Sequence, residues 1–160
     1  MTDLLRLNEP DGEHPQSYYA ATAGPAPVCD TLKGDRKAHV CIIGAGFTGL
    51  SAALYLAERG LDVVLLEANR VGWGASGRNG GQLGSGQRLG QLELRGTLGE
   101  ERAAELWRLA EDAKDHVRGL VAQHRIACDL KAGHIRAELS EKGLEHAAEE
   151  AAHLREDLGL

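Results

Sequence analysis

The stretch His39-Val40-Cys41-Ile42-Ile43-Gly44-Ala45-Gly46-Phe47-Thr48-Gly49 sets the fold class of this chain. An apolar run that stops at glycine reads as a strand buried on both faces, as in a parallel sheet. From Gly44 to Gly60 the pattern changes to a turn and a helix. Leu50, Ala52, Ala53, Leu54, Leu56 and Ala57 leave almost no polar side, so this helix is expected to lie buried against a sheet. Glu58, Arg59 and Gly60 supply a polar end and a glycine stop. Asp62-Val63-Val64-Leu65-Leu66-Glu67 reads as a second buried strand. Strand, tight turn, helix and strand within about 30 residues make one βαβ unit. The expected class is α/β, with a Rossmann-like unit whose sheet is incomplete.

The glycines of that turn have separate mechanical uses. Gly44 allows the tight turn, Gly46 lets a pyrophosphate approach bare backbone, and Gly49 lets helix and strand pack closely. A helix N-terminus offers unpaired N–H groups and a partial positive charge to phosphate. Glu67 follows Gly49 by 18 residues, near the spacing at which an acid accepts hydrogen bonds from ribose hydroxyls. A carboxylate there repels a 2′-phosphate and disfavours NADP. These residues do not by themselves separate FAD from NAD.

Glycine is over-represented, with 21 in the chain against an average usage of about 7%. The stretch from Gly72 to Gly99 interleaves it with Arg, Asn, Gln and Leu and contains no proline. It reads as a loop whose backbone must approach something closely. Its first part, Arg70-Val71-Gly72-Trp73-Gly74-Ala75-Ser76-Gly77-Arg78-Asn79-Gly80-Gly81-Gln82, comes just after Glu67, where a second approach to a cofactor is natural. Ser76 and Asn79 can hydrogen-bond to phosphate or ring atoms, and Arg78 can pair with phosphate or electron-rich flavin atoms.

The remaining chain organises around this centre. Residues 1–37 hold all four prolines and read as an irregular N-terminal arm, with Tyr18 and Tyr19 tucked against the body. Residues 38–98 form the nucleotide-binding unit and its glycine-rich loop. Residues 99–160 form a helical segment, the start of a truncated substrate domain. Within it Ala103, Leu106, Trp107, Ala110, Ala113, Val117, Leu120 and Val121 give one apolar stripe on a helix over 100–124, with Trp107 in the core. A strand is expected around 133–137, and Ser140 is expected to open a last helix that ends at Gly159. The histidines, among them His116, His124, His146 and His153, are read as solvated.

Charge and composition narrow the function. With 18 basic and 24 acidic residues the net charge is −6, which argues against a general nucleic-acid binder. Hydrophobic residues make up 42%, yet no run approaches the ~20 apolar residues of a membrane span. The start of the chain is too short and too acidic for a signal peptide. Cys29, Cys41 and Cys128 form no CxxC pair, so no metal site or disulfide framework is indicated and a reducing, cytoplasmic location is expected.

Four segments in order carry a resemblance: Ser17-Tyr18-Tyr19-Ala20-Ala21-Thr22, Val40 through Leu54, Leu66-Glu67-Ala68, and Gly74 through Gln82. Together they resemble the N-terminal part of the D-amino-acid-oxidase-type FAD-dependent oxidoreductases, on the γ-glutamylputrescine oxidoreductase branch. The likeness covers most of the chain and weakens after about Gln91. It implies FAD as cofactor and oxidation of an amine, γ-glutamylputrescine-like or amino-acid-like, by hydride transfer to flavin with oxygen as acceptor. It also implies roles. Gly44, Gly46, Phe47, Thr48 and Gly49 would surround the pyrophosphate. Glu67 would meet the ribose, Ser76, Gly77, Arg78 and Asn79 would face the phosphate and flavin, and Ala68 and Gly80 would also contact the cofactor. Some relatives tether flavin through His or Cys in the second loop; this loop has neither, so binding is expected to be non-covalent. No catalytic base is identifiable. Because family members are longer, the chain is expected to be a truncated or split piece with a possible complementary C-terminal chain. Two alternatives stand beside this reading: a non-catalytic FAD-binding remnant, and an NAD-linked dehydrogenase module.

Overall fold

The computed structural model describes residues 13–133 and 135–159. The first 12 residues of the expected N-terminal arm, and His134 within the expected late strand, therefore lie outside the described residues. The chain divides into two compact units at Gly80/Gly81.

In the first unit, strands β1 (Val40–Ile43) and β2 (Val63–Leu66) pair in parallel, with Val40 opposite Val63 and Ile43 opposite Leu66. A five-residue helix, α1 (Tyr18–Thr22), precedes them, capped by the Ser17 hydroxyl. Helix α2 (Phe47–Ala57) connects the strands and packs on both. The ladder runs past β1 at each end. Gly44 N–H donates to the Leu66 carbonyl at 2.7 Å, and the His39 and Val40 amides share the Asp62 carbonyl.

The expected burial is only half realised. Gly49, Ala52, Ala53 and Leu56, spaced three and four apart, are half-buried, whereas Phe47, Leu50, Leu54 and Tyr55 are exposed. Along β1 Val40 and Ile42 are half-buried and alternate with exposed Cys41 and Ile43, the latter 88% exposed. Side chains alternate between the faces of a strand, so the single helix covers one face of the two-stranded sheet. On β1 the other face is exposed, as is the outer side of the helix, whereas all four residues of β2 are half-buried. Two strands form too narrow a platform to bury a helix that is apolar all round. Nor are the two tyrosines tucked in: Tyr18 is 72% exposed and Tyr19 is also open, the rings meeting edge to face.

The second unit is helical. It comprises α3 (Gln91–Leu98), α4 (Glu100–His124) and α5 (Glu141–Leu158), with α3 against both others. Leu94, Ala103 and Trp107 are buried. The stripe on α4 is shorter than its sequence suggests, because Ala113 and Val117 are exposed while Lys114 is buried. The Lys114 ammonium donates to the Ser85 hydroxyl at 2.6 Å and pairs with Glu111 at 2.5 Å. Those partners make its burial tolerable. Desolvation pushes the Glu111 carboxyl up, but hydrogen bonds from Lys114 and Ser85 and the charges of Lys114 and Arg118 outweigh it. The net position lies below the ordinary carboxylate range.

Three local readings are corrected here. Helix α3 occupies residues read as loop; its first amide, of Gln91, is held by a Glu150 carboxylate oxygen of α5 at 3.0 Å. The expected strand around 133–137 is absent among the described residues: Ile135 is 95% exposed, and a strand without a partner has no ladder. His153 is not solvated; its Nδ1 lies 2.6 Å from an Asp157 carboxylate oxygen, with the ring largely covered. The ends of α5 are as expected, with the Ser140 hydroxyl accepting from Gly143 N–H at 3.1 Å and Gly159 at φ +70°.

Candidate functional site

The site is built at the mouth of α2 from two loops of the first unit. The turn after β1 is made possible by Gly44, whose φ of +100° lies where L side chains are strained. Ala45 follows and is fully buried. Its amide donates to Glu67 Oε2 at 2.7 Å, and its carbonyl accepts from Gly72 N–H at 2.8 Å. Gly49 could not be any other residue without rebuilding the turn. A Cβ there would lie 1.9 Å from the Gly44 carbonyl oxygen and 3.3 Å from Ile42 Cγ2. The expected close packing of helix on strand is thus seen in the distances.

Glu67 sits at the end of β2, half-buried. One carboxylate oxygen accepts from Ala45 and the other from Asn69 N–H at 3.0 Å. An ionised carboxylate offers about four acceptor positions, so two remain for further donors. The acid is fastened to the first loop by the amide of the residue between the two glycines. Ala68, beside it, is exposed.

The second loop returns to the same mouth. Ala75–Gly77 forms a short 3₁₀ turn, and a Cβ on Gly77 would meet the Gly72 carbonyl oxygen at 2.2 Å. The Ser76 hydroxyl accepts the Phe47 amide at 2.9 Å. Asn79 donates from its side chain to the Ser76 carbonyl at 2.8 Å. Arg78 donates from Nε to the Trp73 carbonyl at 2.9 Å, and its guanidinium lies over the Trp73 ring at 4.6 Å. Gly80 is exposed at the end of the unit. Gly44, Gly46, Phe47, Gly49, Glu67, Ser76 and Gly77 are therefore brought into one linked arrangement. Asn79 supports it from behind, Arg78 stays with Trp73, and Thr48 lies exposed in the first turn of α2.

Sequence reasoning assigned no role to Ala45, Gly72 or Trp73. The indole N–H of Trp73 donates to the Glu13 carbonyl, and Arg70 pairs with the Glu13 carboxylate at 2.6 Å, anchoring the arm to this loop. A small residue enclosed by two glycines was the available signal for Ala45. An open hollow of about 780 Å³ lies beside the arm, lined by Glu13, His14, Ser17, Tyr18 and Arg70, and not at the glycine turn.

The arrangement fits the diphosphate of a dinucleotide. No bulky side chain caps the N-terminus of α2, and the first-turn amides of Thr48 and Gly49 have no carbonyl acceptor within the helix. A carboxylate with spare acceptor positions stands at the tip of the neighbouring strand. The family profile described as FAD dependent oxidoreductase (DAO) matches residues 39–160. The chain belongs to the FAD-dependent oxidoreductase family.

This membership extends through the helical unit, well past Gln91. A probable oxidoreductase OrdL of Rhizobium meliloti is 48% identical over 119 residues, which is 74% of this chain and 28% of that protein. The γ-glutamylputrescine oxidoreductase of Escherichia coli is 40% identical over 132 residues, 82% of this chain and 31% of that protein. A probable OrdL of Haemophilus influenzae is 40% identical over 143 residues, 89% of this chain and 33% of that protein. The chain thus spans about a third of the length of these curated relatives. No solved structure matches it. Among the described residues no helix is long and apolar enough to cross a membrane.

Proposed function

We propose that this oxidoreductase chain is the FAD-binding part of an amine oxidase, with a γ-glutamylputrescine-like or amino-acid-like amine as substrate and oxygen as acceptor. The observation that carries the reading is the Glu67 carboxylate fastened to the Ala45 amide beside the glycine turn. It brings the acid at the end of β2 to the glycine turn that opens α2, which supports a ribose and a diphosphate being held side by side. FAD, when bound, supplies the hydride-accepting chemistry. The chain's own residues bind and orient. Gly44, Gly46, Thr48 and Gly49 present backbone to the diphosphate, Glu67 accepts from the ribose, and Phe47 and Ala68 also contact the cofactor. Ser76, Gly77, Arg78, Asn79 and Gly80 form the second wall.

The substrate pocket and any proton-transferring base are proposed to come from a complementary C-terminal polypeptide. The length of the relatives supports this, as does the bare apolar face of β1 and α2. That face also supports a second reading, in which the chain alone binds flavin without turnover. The test is titration of the 160-residue chain with FAD, followed by flavin fluorescence, beside Gly46→Val. Saturable quenching in the wild type that is lost in the variant supports the reading. Unchanged quenching in the variant, or retention of NAD in place of flavin, removes it.

A further inference from the structure

The two glycine loops meet at a single hydroxyl. Helix α2 begins after Gly46, which has no side chain with which to cap it, and Ser76, 30 positions later, supplies the missing acceptor to the Phe47 amide at 2.9 Å. Capping residues normally belong to the helix they cap; here the cap comes from the neighbouring loop. The same hydroxyl explains Gly46. A Cβ on Gly46 would stand 2.9 Å from Ser76 Oγ, closer than real contacts allow, but 3.8 Å from Ser76 Cβ, an ordinary separation. Gly46 has an ordinary φ of −85°, so backbone strain does not require glycine there. Ser76 is held in turn from behind by Asn79, on its carbonyl, and by Gly77, packed on Gly72.

We infer that Ser76 is a positioning residue that caps α2 from the second loop, and that Gly46 is glycine to admit that hydroxyl. The two motifs then act as one element. With the Phe47 amide occupied, the amides left at this mouth for an anion are those of Gly46, Thr48 and Gly49. This last consequence rests on the flavin-binding reading above; the cap itself does not.

The test is a double-substitution cycle in the whole chain, read by thermal unfolding, by exchange of the Phe47 amide, and by FAD fluorescence. Ser76→Ala is expected to lower the midpoint by about 4 °C, the size of a lost cap. Its Phe47 amide should exchange about tenfold faster, and Ser76→Thr should restore both. Gly46→Ala is expected to lower the midpoint similarly, whereas Gly46→Ala/Ser76→Ala should be no worse than Ser76→Ala alone. Additive losses would overturn the inference, and so would an unchanged Phe47 amide in Ser76→Ala. If Gly46→Ala does not fold, the amide exchange of Ser76→Ala against Ser76→Thr decides. A wild type that melts and exchanges as described but does not quench flavin would remove the cofactor reading and leave the cap standing.

Discussion

The glycines of the first unit and those of the second are equally frequent to the eye, yet they do different work. Around α2, a Cβ at Gly49 or Gly77 would strike backbone carbonyl oxygens, so glycine there lets peptide groups crowd together at a helix mouth. In the second unit, a Cβ on Gly86, at φ +78°, would lie 3.3 Å from the Trp107 ring, and one on Gly90 would lie 2.6 Å from a Glu150 carboxylate oxygen. Gln87 and Gln91 bind the α4 carbonyls of Leu106 and Ala103 at 3.1 and 2.7 Å. Here glycine lets a segment lie flat on side chains of its own unit. The close approach expected for the whole stretch from Gly72 to Gly99 is thus an approach to protein in its second half.

Four outcomes would break or sharpen this contrast. The largest effect is expected from Gly49→Ala, whose methyl has no space before the Gly44 carbonyl. It should cost more than about 3 kcal/mol and abolish flavin binding; calorimetry showing a wild-type midpoint would show that the turn yields. Next, Trp107→Ala should destabilise the helical unit by about 3 kcal/mol, as loss of a buried aromatic does. A denaturant midpoint unchanged in that variant would deny Trp107 its place under Gly86. Glu67→Ala should weaken FAD by roughly 1–3 kcal/mol through lost hydrogen bonds. An identical dissociation constant would mean that the acid serves only Ala45 and Asn69.

The smallest effect is a pH dependence. The Glu111 carboxyl lies below its ordinary value of 4.5 in the folded chain. Its stabilising contribution is therefore complete above that value and fades as pH falls through and below it. Glu111→Gln should be slightly less stable than wild type at neutral pH and equal to it in acid. A constant difference across an acid titration of the unfolding midpoint would contradict the role of the Lys114 and Ser85 contacts.

Much of the first unit could be read along the chain. β1, α2 and β2 lie where apolar runs and glycine punctuation put them, because a run of branched residues ending at glycine is a local signal. Helix α4 and Trp107 in its core were legible from three-and-four spacing. What escaped was non-local. Helix α3 contains Gly96 and Thr97, weak helix formers, and is held by Glu150 from 59 residues away. Residues 135–137, read as strand, have no neighbouring strand among the described residues.

By itself, the order of residues determined that strand, glycine turn, helix, strand and acid follow at dinucleotide spacing, since each depends on contacts within a few positions. Only the folded chain decided what the acid and the serine touch. Glu67 meets Ala45 and Ser76 meets Phe47 across 22 and 29 residues, respectively. It also decided that half of the apolar surface of β1 and α2 stays bare. Burial depends on how many elements are present to share it, and a two-stranded sheet with one helix is too few.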